Sequence, residues 1–415
     1  MFRISIACRA AAALSVGLAM SAGAAPLSLE AAIQLAERES PQVAVTAADI
    51  AVALSEGRPA GSLPDPKLFA GMDNFPISGA ARGQLDRDFM TMQRIGLMQE
   101  IPSGAKRQAA VELAQANVES SEARQRVVRQ QVRREVALAW ISTQLFEQRL
   151  QLFDALEREN GVLAMTVEAQ IAGARAEPAD RLLPGQEAVA IADRRDAVLR
   201  EIARSRATLR RFVGDAADEA LDGLAPRFEV APQSLREHLH HHPELQAFAA
   251  QTRQAGAALA EAQARKIPDL AVEVAYQRRG GQFGDMVSVQ FTFDLPLNVT
   301  ERQDPLIAAR VQALARVDAE RETMLREHLS ELENALAEYA TAQRSHDRAS
   351  TIAIPLAQQR VDLLLAGYGA GRGTLAALLE ARRALLEQRL RVLELDGQAT
   401  LVAAQLHYAY LDLEP

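Results

Sequence analysis

Cysteine is nearly absent: Cys8 is the only one in 415 residues. It sits in an amino-terminal stretch, MFRISIACRAAAALSVGLAMSAGAAP, that reads as a secretory signal, with Arg3 and Arg9 before a short apolar run and Ala22-Gly23-Ala24 as a small-residue cleavage site. Loss of residues 1–24 would leave a chain from Ala25 without a thiol, so disulfides, thiolate metal centres and a lipidated cysteine at the cleavage point are all excluded. Beyond that segment no run reaches the roughly 18 apolar residues a membrane-spanning helix needs. Insertion into a bilayer would therefore have to use strands.

Positive charge is outnumbered, 46 Lys and Arg against 54 Asp and Glu. The formal charge is −8, or −10 without Arg3 and Arg9, which argues against a nucleic-acid partner and gives any enclosed surface a bias toward cations. Catalytic signatures are missing as well: GYGAGRG follows a helical stretch and lacks the Lys-Ser ending of a phosphate loop, and no nucleophile, zinc-hydrolase or paired-carboxylate arrangement is evident. Neither an enzyme nor a cofactor is expected.

Glycine and proline are absent from Ala105 to Asn160 and again from Leu306 to Ile354. Each gap predicts one very long helix, about 107–172 and 305–366, spanning roughly 90–100 Å at 1.5 Å per residue. Val132, Val136, Ala139, Thr143, Phe146, Leu150 and Phe153 step by four and three, as do Leu325, Leu329, Leu332, Leu336 and Tyr339, which is the spacing of a coiled-coil seam. Trp140 is expected in such a seam.

The two gaps belong to a repeat. Pro41 and Pro243, like Pro66 and Pro268, stand 202 residues apart; Pro102 and Pro296, like Gly173 and Gly367, stand 194 apart. A shorter hairpin loop in the second half absorbs the difference. Gly161 and Pro355 share the 194 offset, predicting a matched bend in both arms. After the signal peptide, 1–24, the first repeat covers 25–226, with strands at about 67–76 and 88–100, the long helix, and a return helix at about 177–213. The second covers 227–415, with strands at about 269–277 and 286–295, its long helix, and a return helix at about 374–412. Each repeat opens on a helix, about Leu29 to Arg58 and Leu235 to Arg265.

In DLAVEVAYQ and MVSVQFTFDL apolar and polar residues alternate, and each run approaches the roughly 9–11 residues of a membrane-spanning strand. KLFAGMDNF and DFMTMQRIGLMQE alternate less cleanly. Four strands cannot close a lipid-stable barrel, so several copies must combine their strands. The fold class expected is mainly α with a small β part: two tandem repeats giving coiled-coil helical hairpins and four transmembrane strands per chain.

This order, with SPQV and HPEL at the starts of the repeats and YGAGRGTLAALLEA after the second long helix, resembles the TolC-like outer-membrane efflux protein family over nearly the whole chain. LPDPKLFAGMDNFP and DFMTMQRIGLMQEIPSGAKR are similar to its heavy-metal cation branch, the cobalt–zinc–cadmium resistance type. The resemblance implies a homotrimer with a 12-stranded β-barrel in outer-membrane lipid and an α-barrel extending into the periplasm. It also implies a periplasmic adaptor and an inner-membrane pump as partners, and heavy-metal cations as cargo. The alternatives are a soluble periplasmic coiled-coil adaptor, or the same channel carrying drugs or other organic compounds.

Under the resemblance the reversals AGARAEPAD and AGYGAGRGT are the periplasmic tips and the gate. Tyr368, Gly371 and Glu380 match family positions, and Arg372 lies one place from a frequent basic residue. Ala377 stands where a first acidic residue can occur, leaving Glu380 for a single acidic ring. Gly173 and Gly367 mark the turns, and Asp180 and Arg181 are candidates for cross-helix pairing. Two weaker metal candidates come from the residues themselves. His238 and His242 have i, i+4 spacing in EHLHHHPEL, although Pro243 interrupts the helix directly afterward. Met90, Met92 and Met98 share one strand parity, for which packing or lipid contact is the simpler role.

Overall fold

The computed structural model describes residues 26–174, 176–281 and 283–411; the expected signal peptide, 1–24, lies outside them. The described chain opens with β1 (Leu27–Ser28), α1 (Leu29–Glu39) and α2 (Pro41–Gly57). The single opening helix expected over Leu29 to Arg58 is thus two. Ser40, extended at ψ 126°, precedes Pro41, because a residue before proline is driven out of the helical region. The second repeat breaks the same way: α5 (Pro232–His238) and a 3₁₀ turn (Leu239–His241) end at His242, and α6 (Pro243–Ala264) restarts on its proline.

The hairpins follow. β2 (Lys67–Asp73) and β3 (Met92–Ile101) form the first, and the next segment of chain is α3 (Gly104–Ala172), a helix of 69 residues. Ser103 caps α3 by accepting a hydrogen bond from the Lys106 amide. β3 starts four residues later than expected from the sequence. Met90 lies outside it in the preceding turn, where its amide donates to Asp88 Oδ1 at 2.9 Å.

A 3₁₀ turn (Pro178–Leu182) leads into α4 (Leu183–Val213), so the return helix acquires its α geometry only from Leu183. β4 (Leu221–Asp222) then pairs in parallel with β1, a short sheet that no periodicity announces.

In the second repeat β5 (Leu270–Arg278) and β6 (Met286–Phe293) precede α7 (Val299–Arg348), a π-helical segment (Ala349–Ala353), α8 (Ile354–Gly369) and α9 (Leu375–Tyr410). α7 begins at Val299, six residues before the expected start at about 305, and carries Pro305 inside it, where the Glu301 carbonyl loses its amide donor. The matched bend is not found as expected. The π segment stands directly before Pro355, whereas α3 passes Gly161 as an unbroken α-helix, since glycine lowers helix stability without removing a donor.

The seam of α3 buries Val132, Val136, Ala139, Thr143 and Phe153, and Trp140 is buried with its indole N–H donating to Leu27 O at 2.9 Å. This core gathers α1, α3, α4 and the end of α9. The seam of α7 departs from the leucine spacing: Leu329 is 45% exposed and His328, 6% exposed, takes its place between Leu325 and Leu332. Steps of three and four can be entered in either order, and here the core selected the histidine.

The four long strands form one antiparallel sheet in the order β2-β3-β5-β6. The register joins the two repeats directly, with Leu97 opposite Val274 and Ile95 opposite Tyr276. Directly opposed residues share a face, which assigns the ambiguous first hairpin. One face carries Leu68, Met72, Ile95, Leu97, Val274, Val287, Val289, Phe291 and Phe293; the other carries Asp73, Arg94, Glu273, Gln277, Ser288, Gln290 and Thr292. The apolar face is bare in the single chain, with Leu68 70%, Val287 68% and Phe291 60% exposed.

Gly96 is needed on the polar face. A Cβ there would lie 2.5 Å from Val274 O and 2.8 Å from Ala275 Cα, across the junction of the repeats. Gly96→Val is expected to lower the denaturation temperature of the sheet and cost about 1–3 kcal/mol, whereas Gly71→Ala, which meets nothing closer than 4.0 Å, costs less than about 1 kcal/mol. Thermal unfolding followed by circular dichroism measures both.

Candidate functional site

Two places in this architecture gather charged and polar side chains: the polar face of the sheet and the helical tips. On the sheet Arg94 is held from both sides, by Asp73 at 3.2 Å and Glu273 at 2.7 Å, and its guanidinium stacks 4.6 Å from the centre of the Phe69 ring. Lys67 and Glu100 form a further pair. Charges compensated in this way suit a face turned to water. Met92 and Met98 share this face but stand six residues apart, roughly 20 Å along a strand, and Met90 is outside the strand, so these three do not gather at one point.

The second tip answers for its glycines one at a time. α8 runs on through Gly367 to Gly369, and the chain reverses at Gly371, whose φ is +70°. Gly371 N–H donates to Tyr368 O at 3.0 Å and Arg372 N–H to Gly367 O at 2.9 Å, the paired bonds of a Schellman turn with glycine in the left-handed position. Thr374 then caps α9 through the Ala377 amide.

The first tip solves the same problem with different residues. Gly173 has φ −86°, and the left-handed position falls to Ala174 at φ +55°. Gly173 and Gly367 are therefore not equivalent in the structure: one caps a finished helix and the other lies inside a helix that continues. The 194 offset of the sequence is lost by the tips because α8 runs nearly one turn further.

Tyr368 is buried with Leu163, Val167, Leu375 and Leu378, so both hairpins hold its ring. Its hydroxyl is buried and meets no hydrogen-bond partner among the described residues. Burial, with the Asp180 carboxylate nearby as a smaller cause, raises the phenol above its ordinary range. Asp180 Oδ2 accepts from the Glu177 amide at 3.3 Å, fixing the 3₁₀ turn.

Arg181 reaches back to Glu168 on α3 at 2.7 Å, a pair between the return segment and the long helix of the first hairpin. Arg372 and Glu380 are both exposed. Above the tips the two hairpins are tied by Arg194 to Glu387 at 3.0 Å and by Arg383 to the buried Glu187. A cleft of about 240 Å³ opens there between Asn160, Gln358, Asp362, Arg382 and Arg389.

The histidine pair expected from spacing does not form. His238 is exposed and its Nδ1 contacts Ser234 O at 2.8 Å, while His242, 2% exposed, turns inward against His328 of α7, with ring centres 4.1 Å apart. The end of α5 at His238 and the 3₁₀ turn Leu239–His241 separate the two. Arg94 and His328 are the residues that sequence reasoning missed; a polar residue at a seam step and an arginine opposite two carboxylates in the register were their signals.

Gly371→Ala is expected to cost about 1–2 kcal/mol, and Ala174→Gly to gain up to about 1 kcal/mol, in chemical denaturation of the purified protein. Tyr368, with its folded pKa raised, contributes stability that is complete below about pH 10 and lost above it. Tyr368→Phe should therefore flatten the alkaline limb of the stability profile.

Comparison with known proteins bears on this geometry. Residues 234–410 match the outer membrane efflux protein family. The cobalt-zinc-cadmium resistance protein CzcC of Cupriavidus metallidurans is 25% identical over 404 residues, covering 92% of this chain and 90% of CzcC. The outer membrane protein VceC of Vibrio cholerae has the same fold, with a TM-score of 0.76 at 18% identity over 92% of this chain and 95% of its own. The open-state MtrE outer membrane channel of Neisseria gonorrhoeae gives 0.72 at 15% identity, over 92% and 88%.

Proposed function

We propose that this chain, which carries an outer membrane efflux protein domain and has the fold of TolC-like outer-membrane channels, is the outer-membrane duct of a tripartite efflux system that exports heavy-metal cations. The observation that carries the reading is the sheet. Its apolar face is uncovered over all four strands, its opposite face is polar and charge-compensated, and β2 and β6 are open edges. Turned outward, the apolar face meets lipid, and the edges of several copies join into a closed barrel around the polar face. Three copies of four strands give the twelve of the family.

The helices then form the periplasmic part of the duct. Val162, Met165, Leu356 and Leu363 are more than half exposed on the arms of a single chain, and assembly of a homotrimer would cover them. The two repeats, 25–226 and 227–415, each contribute a hairpin of strands and a hairpin of helices. At the tips Gly173, Gly367, Tyr368 and Gly371 shape the reversals, while Arg372, Glu380, Asp180 and Arg181 face the adaptor or the entrance. The buried, unpartnered Tyr368 hydroxyl suits a bond to a neighbouring subunit in the resting state.

Gating is then a shift between closed and open packings of the hairpins when adaptor and pump engage, with energy supplied by the pump. The cation cargo is supported by the relationship to the cobalt-zinc-cadmium resistance protein and by the net negative charge.

Deletion of the gene should sensitise cells to particular salts among zinc, cobalt, cadmium, nickel, copper and silver, with complementation restoring growth. Sensitivity to dyes and antibiotics with unchanged metal tolerance would transfer the channel to organic cargo. Replacing Gly371 by a bulky residue or Glu380 by Lys is expected to change adaptor docking or single-channel conductance while trimers persist. Unchanged docking and conductance in both would remove the tips from the gate.

A further inference from the structure

A group of metal-ligating atoms lies well away from both the sheet and the tips, at the start of α6. His242, Glu244 and His328 each offer one ligand atom, and these atoms lie within 4.8 Å of one another. We propose that they form a site for one divalent transition cation of the zinc type, which clasps the start of α6 to the middle of α7.

The donor set is two imidazole nitrogens and one carboxylate oxygen, the three-ligand pattern in which zinc keeps a fourth position for water. In a tetrahedral site with bonds of roughly 2.0–2.1 Å the ligand atoms stand roughly 3.3 Å apart. His328 Nε2 and Glu244 Oε2 are already 2.9 Å apart, so side-chain adjustments of about 1 Å complete the set.

Groups around the site hold the ligands in the required orientation. Gln131 of α3 donates to Glu244 Oε1 at 2.9 Å, leaving Oε2 to face His328. The Glu331 carboxylate lies 3.8 Å from His328 Nδ1, a negative charge on the side of the ring away from Glu244. His242 is wedged between the rings of His328 and Tyr410, whose centres lie 4.1 and 5.6 Å away, and Tyr410 Oη donates to His328 O at 3.3 Å. Four helices, α3, α6, α7 and α9, converge on these contacts.

The ligands also hold the protonation states a cation requires. Burial, followed by the neighbouring His328, lowers His242 to about 4, so its ring is neutral at neutral pH. The hydrogen bond from His328 is the largest cause lowering Glu244 to about 2, so it is a carboxylate. Arg134 adds one positive charge nearby, against the negative charges of Glu244 and Glu331. Binding would exchange two existing bonds for coordination: the His328–Glu244 hydrogen bond, and the long cap bond in which Glu244 N–H donates to His242 Nδ1 at 3.3 Å. Coordination uses the lone pair of His328 Nε2, so that nitrogen carries no proton in the bound state.

The location suggests what the clasp does. α6 leads into β5 and α7 leaves β6, so a cation here fixes the two helices that enter and leave the second hairpin of the sheet. This role does not depend on which solute the duct carries.

The test uses the full-length protein, purified in detergent without a histidine tag and stripped with chelator, in equilibrium dialysis against zinc chloride. The expected result is about one zinc per chain and a raised denaturation temperature. Gln131→Ala should weaken binding by about 10–100-fold, and His328→Gln and Glu244→Gln should lose it. Glu244→Gln leaves both imidazoles in place and decides the matter if His328→Gln fails to fold. The combined His238→Ala, His240→Ala, His241→Ala variant should retain the zinc. The proposal is overturned if the stripped protein takes up no zinc, if Glu244→Gln retains it, or if the exposed-histidine variant loses it.

Discussion

The structure depends on one constraint: a sheet of four strands with an apolar face cannot end in hydrocarbon. β2 and β6 present rows of backbone N–H and C=O groups, each worth several kcal/mol if left unpaired in a bilayer. A single chain has too few strands to curl upon itself, since membrane barrels begin at about eight. The strands alternate in direction across the sheet, so β6 of one copy can meet β2 of the next in antiparallel pairing without any change of topology. On the proposed function, assembly is built into the backbone, and the exposed leucine, valine and phenylalanine side chains become the lipid surface of the closed barrel.

The helices answer a different demand, which is reach. α3 extends for 69 residues because nothing in it stops a helix, and it is supported by neighbours from both repeats rather than by its own propensity alone. The first repeat alone could not do this: α3 packs on α6 and α9 of the second as well as on α1, α2 and α4. At the far ends the ties change character. Apolar packing around Tyr368 persists, but exposed ion pairs such as Arg181 with Glu168 and Arg194 with Glu387 carry much of the lateral contact. Pairs of that kind contribute little and exchange easily.

Much of the fold was legible in the sequence because long helices and alternating strands are local patterns. The absence of glycine and proline located α3 and α7, and the alternation in β5 and β6 located the second hairpin to within two residues. What local pattern could not supply was the choice between equivalent readings. Leu329 and His328 both satisfy steps of three and four, and only packing against α6 and α9 shows that the histidine is inside. The faces of β2 and β3 became clear through their register with β5, a partner about 180 residues away.

The tips show the same limit. Spacing paired Gly173 with Gly367, yet backbone geometry pairs the functions of Ala174 and Gly371, because the number of turns in each arm differs. Spacing likewise linked His238 to His242, yet α5 ends at His238 and the 3₁₀ turn that follows carries the second ring into a different environment.

Closure of the sheet between copies is the central claim, and the edge strands test it most directly. With Cys8 the only natural cysteine and within the expected signal segment, single cysteines placed in β2 and in β6 of one chain can be oxidised in isolated outer membranes without interference. The account predicts that residue pairs in register across β6 and the next β2 cross-link the protein into a closed covalent trimer. Recovery of monomers alone from every register, or of ladders extending past three chains, would contradict it.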